Sequence, residues 1–346
     1  MISFESDYNN GMLPEILEAL GKTNSEKTSG YGFDPYSKAA KEKIRKAVGN
    51  ENADVFFLVG GTQTNTTVID SLLLGCEGVI CVETGHIEVH ESGAVEAFGH
   101  KVIPLPGENS KLSSSTLAVY MDSFLADETH PHMVQPGMVY ISMPTEFGMV
   151  YTQEELTALY ATCQKYGLRL FIDGARLGYG LESEACDYDL PFLAKHCDVF
   201  YIGGTKVGAM MGEAVVFSGM KAPKYFFTTV KRHGALLAKG RMLGIQFDTL
   251  FTDQLYFKVA RHAIAMAARI RGIFKKHGIA IAYDSPTNQQ FVVLSPTLHE
   301  ALSKRVAFEI WERKSDSEII CRFVTSWATK EEELDELDHI LDELDF

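Results

Sequence analysis

Three stretches of this sequence set reactive side chains directly after runs of β-formers. In "DVFYIGGTKVGAMMGEAVVF" (198–217), the run Val199–Ile202 stops at Gly203-Gly204, and Lys206 follows before the apolar pattern resumes at Ala214. Lysine is rarely buried without a partner, so the plain reading is a turn residue pointing into water. In "LRLFIDGARLGYG" (168–180), a hydrophobic run delivers Asp173, with Arg176 three residues on. Alone, Asp173 could simply cap the next helix. In "VFFLVGGTQTNTTVIDSLL" (55–73), an apolar run meets Gly60-Gly61, then Thr62, Gln63 and a helical pattern. Glycines allow close backbone approach, and a helix N-terminus offers unpaired N–H groups to an anion. The spacing matches neither GxGxxG nor GxxxxGK[ST], so neither nucleotide fingerprint applies. Alone it reads equally as an ordinary strand–turn–helix.

Taken together, the three answer one chemical demand. Pyridoxal phosphate needs a lysine amine for its Schiff base, donors for its phosphate and an acid beside its ring nitrogen. A carboxylate about 4 Å from the pyridinium contributes roughly 4 kcal/mol at an effective dielectric near 20, enough to keep the nitrogen protonated near neutral pH. Neither NAD nor ATP chemistry calls for that set.

These side chains need a scaffold that brings strand ends together. Strand candidates lie at 55–59, 79–82, 102–105, 138–143, 168–173, 199–202 and 214–217, with helical patterns such as 64–74 and 153–166 between them. Continuous apolar runs separated by helices predict an α/β fold with a mostly parallel seven-stranded sheet covered on both faces. Ligands of such sheets sit at the carboxyl ends of the strands. A long helical region (246–277), strands at 279–283, 290–295 and 318–325 and a last helix carrying Leu334, Leu337, Ile340, Leu341 and Leu344 predict a smaller C-terminal α+β domain. The expected division is 1–245, the N-terminal segment and large cofactor-binding domain, and 246–346, the small domain.

The 346 residues suffice for a large core, and the net charge of -14 argues against a nucleic-acid surface or docking on anionic membranes. No uncharged apolar run approaches the length of a membrane span, and "MISFESDYNN" lacks a secretory pattern. Six scattered cysteines without a CxxC pair give no metal site and fit a reducing cytoplasm.

With the pieces "SGYGFDP" (29–35), "GGTQTN" (60–65), "TGHIEVHESGA" (84–94), "FIDGARL" (171–177), "GGTKVGAMMGE" (203–213) and "CRFVTSW" (321–327) in this order, the chain resembles the low-specificity threonine aldolases and their β-eliminating-lyase relatives, nearly end to end. The resemblance implies the type I pyridoxal-phosphate transferase fold of aspartate aminotransferase. It implies that Lys206 forms the Schiff base, that Asp173 holds the ring nitrogen and that Gly61, Thr62 and Gln63 hold the phosphate. His86 matches the histidine stacked on the ring and is a candidate base. Ser6, Arg176 and Arg322 match residues that grip the substrate carboxylate, although an internal acid could serve either arginine as well. Tyr31 falls in a loop near the site, Glu91 is a further candidate, and Arg241 matches a residue reaching the phosphate of a neighbouring subunit.

The chain departs from many relatives at "MPTEFGMVY", where Glu146 replaces a histidine at the substrate hydroxyl. A carboxylate can accept that proton too. The expected activity is retro-aldol cleavage of L-threonine, L-allo-threonine or a related β-hydroxy amino acid to glycine and an aldehyde, a carbon–carbon lyase reaction. β-Elimination on another amino acid would use the same Lys206 and Asp173. The resemblance also implies a homodimer or homotetramer with shared active sites.

Overall fold

The computed structural model describes residues 1–344; the last two residues of the expected C-terminal segment lie outside the described residues. All seven strands expected for the large sheet form, in the spatial order Asp54–Leu58, Glu213–Phe217, Val199–Gly203, Arg169–Asp173, Gln135–Ser142, Glu77–Val82 and Val102–Leu105. Glu213–Phe217 runs antiparallel to both neighbours, and the remaining pairs are parallel. Successive side chains of a strand point to opposite faces. Accordingly Ile172, Phe200, Ile202 and Val216 join one buried cluster, while Phe171, Val199, Tyr201 and Val215 join another. Both faces are covered, which is why these strands read as unbroken apolar runs rather than as alternation.

The expected helical region 246–277 is two helices, Arg241–Leu250 and Leu255–Lys276. Asp253 (φ 48°) and Gln254 (φ 58°) interrupt it in the left-handed region, where a right-handed helix cannot continue.

A second, antiparallel sheet has the order Glu309–Arg313, Ile319–Val324, Gln289–Leu294 and Ala280–Tyr283. The helices Leu255–Lys276 and Glu331–Glu343 cover it. The latter buries Leu334, Leu337, Ile340 and Leu341 as its spacing predicts, each contributing about 1.5–3 kcal/mol. The chain start joins this core: Ile2–Ser3 pairs in parallel with Val306–Ala307, and Phe4 packs near Phe323. The segment then runs on toward the large sheet, where Asp7 bonds Arg176 and Asn288, and Tyr8 lines a cavity with Lys206 and Arg322.

Candidate active site

The carboxyl ends of the parallel strands share one rim with the start of the antiparallel strand Glu213–Phe217. Asp173 ends its strand, Lys206 follows Val199–Gly203, Glu146 follows Gln135–Ser142, and His86 opens the short helix after Glu77–Val82. The strand ends can meet because two positions carry no side chain. A Cβ on Gly174 would stand 1.9 Å from the carbonyl oxygen of Tyr201, and one on Gly203 would stand 2.3 Å from that of Ala175. A cavity of about 250 Å³ opens at this rim, lined among others by Gly61, Thr62, His86, Glu91, Glu146, Asp173, Arg176 and Lys206.

Asp173 is buried yet satisfied. Its Oδ1 accepts from Tyr201 Oη at 2.5 Å and Ala175 N–H at 2.9 Å; its Oδ2 accepts from Tyr140 Oη at 2.6 Å and Asn65 Nδ2 at 3.0 Å. Burial alone would raise its pKa, but His86 and these donors overcome that and hold the carboxyl below its ordinary range. Glu213 lies at the same rim with less support. Its two oxygens accept from Thr205 Oγ at 2.8 Å and Gly204 N–H at 3.1 Å, and burial pushes it up to about 8. Burial and the Arg176 guanidinium bring Lys206 down to about 8, so its amine gives up its proton far more readily than that of an exposed lysine. An uncharged amine is the nucleophilic form.

A second network orders His86. Its Nδ1 donates to Glu91 Oε1 at 2.8 Å, leaving Nε2 as the nitrogen available to a ligand. Asn65 Nδ2 also donates to Glu91, at 2.7 Å, and so ties the His86 network to Asp173. Glu146 Oε1 accepts from the His86 backbone N–H at 2.9 Å and from Ser142 Oγ at 2.6 Å, and Ser110 Oγ donates to Oε2 at 3.2 Å. Burial raises Glu146 despite those bonds.

The helix Gly61–Leu72 begins at the cavity. Its first intrahelical bond runs from Thr64 N–H to Gly60 O, which leaves the N–H groups of Gly61, Thr62 and Gln63 for an anion. The Gln63 side chain turns the other way, to His233 O at 3.4 Å.

A second cavity, of about 330 Å³, shares His86, Glu146, Arg176 and Lys206 with the first and adds Tyr8, His90, Gln289, Glu309, Trp311 and Arg322. Both candidate carboxylate-binding arginines carry internal acids, the alternative that sequence left open: Arg176 pairs with Asp7, and Arg322 with Glu309. Ser6 bonds Asn9 at 2.7 Å and lines neither cavity. Tyr31 lines a separate apolar hollow with Phe33, Phe56 and Phe227, and Arg241 holds the carbonyls of Thr23 and Glu26. The same chain therefore does not bring Ser6, Tyr31 or Arg241 to the rim.

The Beta-eliminating lyase family profile matches residues 3–298. The chain belongs to that family. This β-eliminating lyase family member is 31% identical over 338 residues to a low specificity L-threonine aldolase of Pseudomonas sp., covering 96% of this chain and 95% of that one. A second relative of that name, from Pseudomonas aeruginosa, is 29% identical over 96% of this chain and 95% of its own length. Among solved structures, a Leishmania major threonine aldolase superposes with a TM-score of 0.95 at 38% identity, over 99% of both chains. A Thermus thermophilus aspartate aminotransferase matches at 0.71 and 16% identity, over 98% of this chain and 90% of that one, which speaks to fold alone.

Pyridoxal phosphate is the cofactor of this family and fold, and the donor set at the rim fits it. There is an amine with a lowered pKa, a carboxylate kept ionised by its donors, and a helix N-terminus with free N–H groups. Sequence reading did not single out Asn65, Tyr140, Tyr201, Asp7, Glu213 or Glu309. Asp7 left a trace as a carboxylate beside Ser6, and Asn65 and Glu213 close the motifs "GGTQTN" and "GGTKVGAMMGE"; the tyrosines sit inside apolar runs, where they read as core.

Proposed function

We propose that this chain is a pyridoxal-phosphate-dependent aldolase that cleaves L-threonine, L-allo-threonine or a related β-hydroxy amino acid into glycine and an aldehyde. The observation that carries this reading is the meeting of Lys206, Asp173 and Glu146 around one cavity, in a chain resembling threonine aldolases over nearly its whole length.

When bound, the cofactor supplies a sink for the electrons left at the substrate Cα as the Cα–Cβ bond breaks. The protein's part is positioning and proton transfer. Lys206 would offer the amine that anchors the cofactor. Asp173 keeps a fixed negative charge for the ring nitrogen, and the N–H groups of Gly61, Thr62 and Gln63 take the phosphate. His86, fixed by Glu91, would pack against the cofactor. Arg322 and Arg176 orient the substrate carboxylate, which decides which bond at Cα is aligned for cleavage. Glu146 takes the proton of the β-hydroxyl; its raised pKa brings it closer to the operating pH than an exposed carboxylate, which favours general-base work.

The protein acts as a homodimer or homotetramer. Supporting this, Tyr31 and Arg241 lie away from the cavity of their own chain, Tyr31 in a hollow with the exposed rings of Phe33 and Phe227 and Arg241 on the carbonyls of Thr23 and Glu26. The six cysteines are all unpaired, in keeping with a cytoplasmic location. No helix among the described residues is long and apolar enough to cross a membrane.

Product analysis tests the activity. L-Threonine is expected to yield acetaldehyde and glycine, and Glu146→Gln is expected to lower kcat about 100-fold or more while the amino acid still binds. Release of ammonia and a keto acid from serine, with no aldehyde from threonine, would favour elimination instead.

A further inference from the structure

Two arginines line the cavity that holds the Lys206 amine, and their carboxylate partners are held very differently. Arg176 gives Nε and Nη2 to both oxygens of Asp7, at 2.7 and 3.0 Å. The Asp7 side chain has no exposed surface and takes another bond from Asn288 Nδ2 at 2.9 Å. Removing either partner of such a pair would strand a buried charge. Asp7 is locked in place.

Arg322 is not locked in this way. Its Nη2 donates to a single oxygen of Glu309, whose side chain is 39% exposed. Its Nη1 donates to Gln289 Oε1 at 2.8 Å, the guanidinium lies 5.1 Å from the Trp311 ring centre, and its Nε is buried without a partner. Glu309 faces Arg322 across the strand pair from an edge strand whose register is irregular between Ile310 and Glu312. Gln289 and Trp311 therefore hold the guanidinium whether or not Glu309 is present, while Glu309 has solvent on one side. A buried guanidinium is costly without an anion, so a partner that stays until another carboxylate arrives keeps it paired throughout.

We propose that Glu309 is an exchangeable internal carboxylate. It occupies Arg322 in the free enzyme, and the α-carboxylate of the incoming amino acid displaces it and sends it to solvent. The proposal rests on the reading that an amino acid enters this cavity. Substrate capture is then a swap of one carboxylate for another, and KM reflects the difference between them. Glu309 acts through Arg322 and is a positioning residue.

The holoenzyme of Glu309→Gln, which keeps an acceptor oxygen but no charge, tests this. The KM for L-threonine is expected to fall about three- to tenfold with no matching rise in kcat, and sodium acetate is expected to inhibit competitively at a similarly lower concentration. Glu309→Ala is expected to move both values in the same direction. A raised KM would overturn the proposal, because Glu309 would then be holding Arg322 for substrate; unchanged KM and unchanged acetate inhibition would also overturn it. Acetate binding is read without turnover as well, from Trp311 fluorescence in a Trp327→Phe background. If parent and variant both fail to cleave β-hydroxy amino acids, the activity reading falls, whereas tighter acetate binding by Glu309→Gln still supports the exchange.

Discussion

Asp173 and Glu309 are carboxylates at one composite site, one supplied by each sheet, and the protein treats them oppositely. Asp173, on the large sheet, is buried and takes hydrogen bonds from Tyr201, Ala175, Tyr140 and Asn65. Glu309, on the edge of the small sheet, is part-exposed and meets Arg322 through one oxygen. Saturated donors in a low-dielectric setting fix a charge in place, while a single contact beside water can be exchanged. The difference divides the labour: the large-sheet rim holds what must stay constant through turnover, and the small-sheet wall holds what must change when substrate arrives. Substitutions at the rim should therefore act on kcat and those at the wall on KM.

The largest expected effect belongs to Lys206. Lys206→Ala should lose the visible absorbance of the lysine-bound cofactor and lower kcat at least about 1,000-fold. Because burial places the amine near 8, the rate at which apoenzyme takes up pyridoxal phosphate should rise with pH and level off above about 8. A rate that kept climbing to pH 10 would mean an ordinary, unperturbed lysine. Asp173→Asn comes next. It keeps the shape and removes the charge, and an ion pair of roughly 4 kcal/mol corresponds to a loss of up to about 1,000-fold in kcat. If Asp173→Asn altered KM and spared kcat, the division between rim and wall would fail.

What could be read from the sequence follows the same division. The large-sheet strands were legible because both of their faces are buried, as in Val199–Gly203, where every residue is buried. Lys206 and Asp173 were legible because each stands at the end of such a run, whereas His86 and Glu146 were named only through the resemblance to threonine aldolases. The strand Glu309–Arg313 was not foreseen: three of the five residues in its sequence, "EIWER", are charged, because it forms an exposed edge. Arg322 was visible as a charge in an apolar run, but its partner was not, since cross-strand register sets that pairing. Ser6 pointed to the right segment, yet its neighbours Asp7 and Tyr8 are the residues that reach the site. Side-chain direction in an irregular segment is decided by packing, which no local pattern encodes.

The smallest expected effect concerns a contrast within the rim itself. Glu213 is as buried as Asp173 but has two donors, Gly204 N–H and Thr205 Oγ, and burial pushes it up to about 8. Asp173 is held ionised, so its contribution to stability is present above its unfolded pKa and is lost as pH falls through its lower folded value. The sign reverses for Glu213. Its folded pKa lies above its unfolded one, so the folded state takes up a proton, which costs nothing at acid pH and progressively more as pH rises toward 8. Glutamine is an isostere of the protonated form: one atom can accept from Gly204 N–H while its amide donates to Thr205 Oγ. Glu213→Gln is therefore expected to stabilise the holoenzyme by roughly 1–3 kcal/mol at pH 7.5, with the gain shrinking to nothing near pH 4.5, as read from urea unfolding at the two pH values. An equal destabilisation at both would mean that Glu213 is ionised like Asp173 and that two donors suffice to hold a buried charge at this rim.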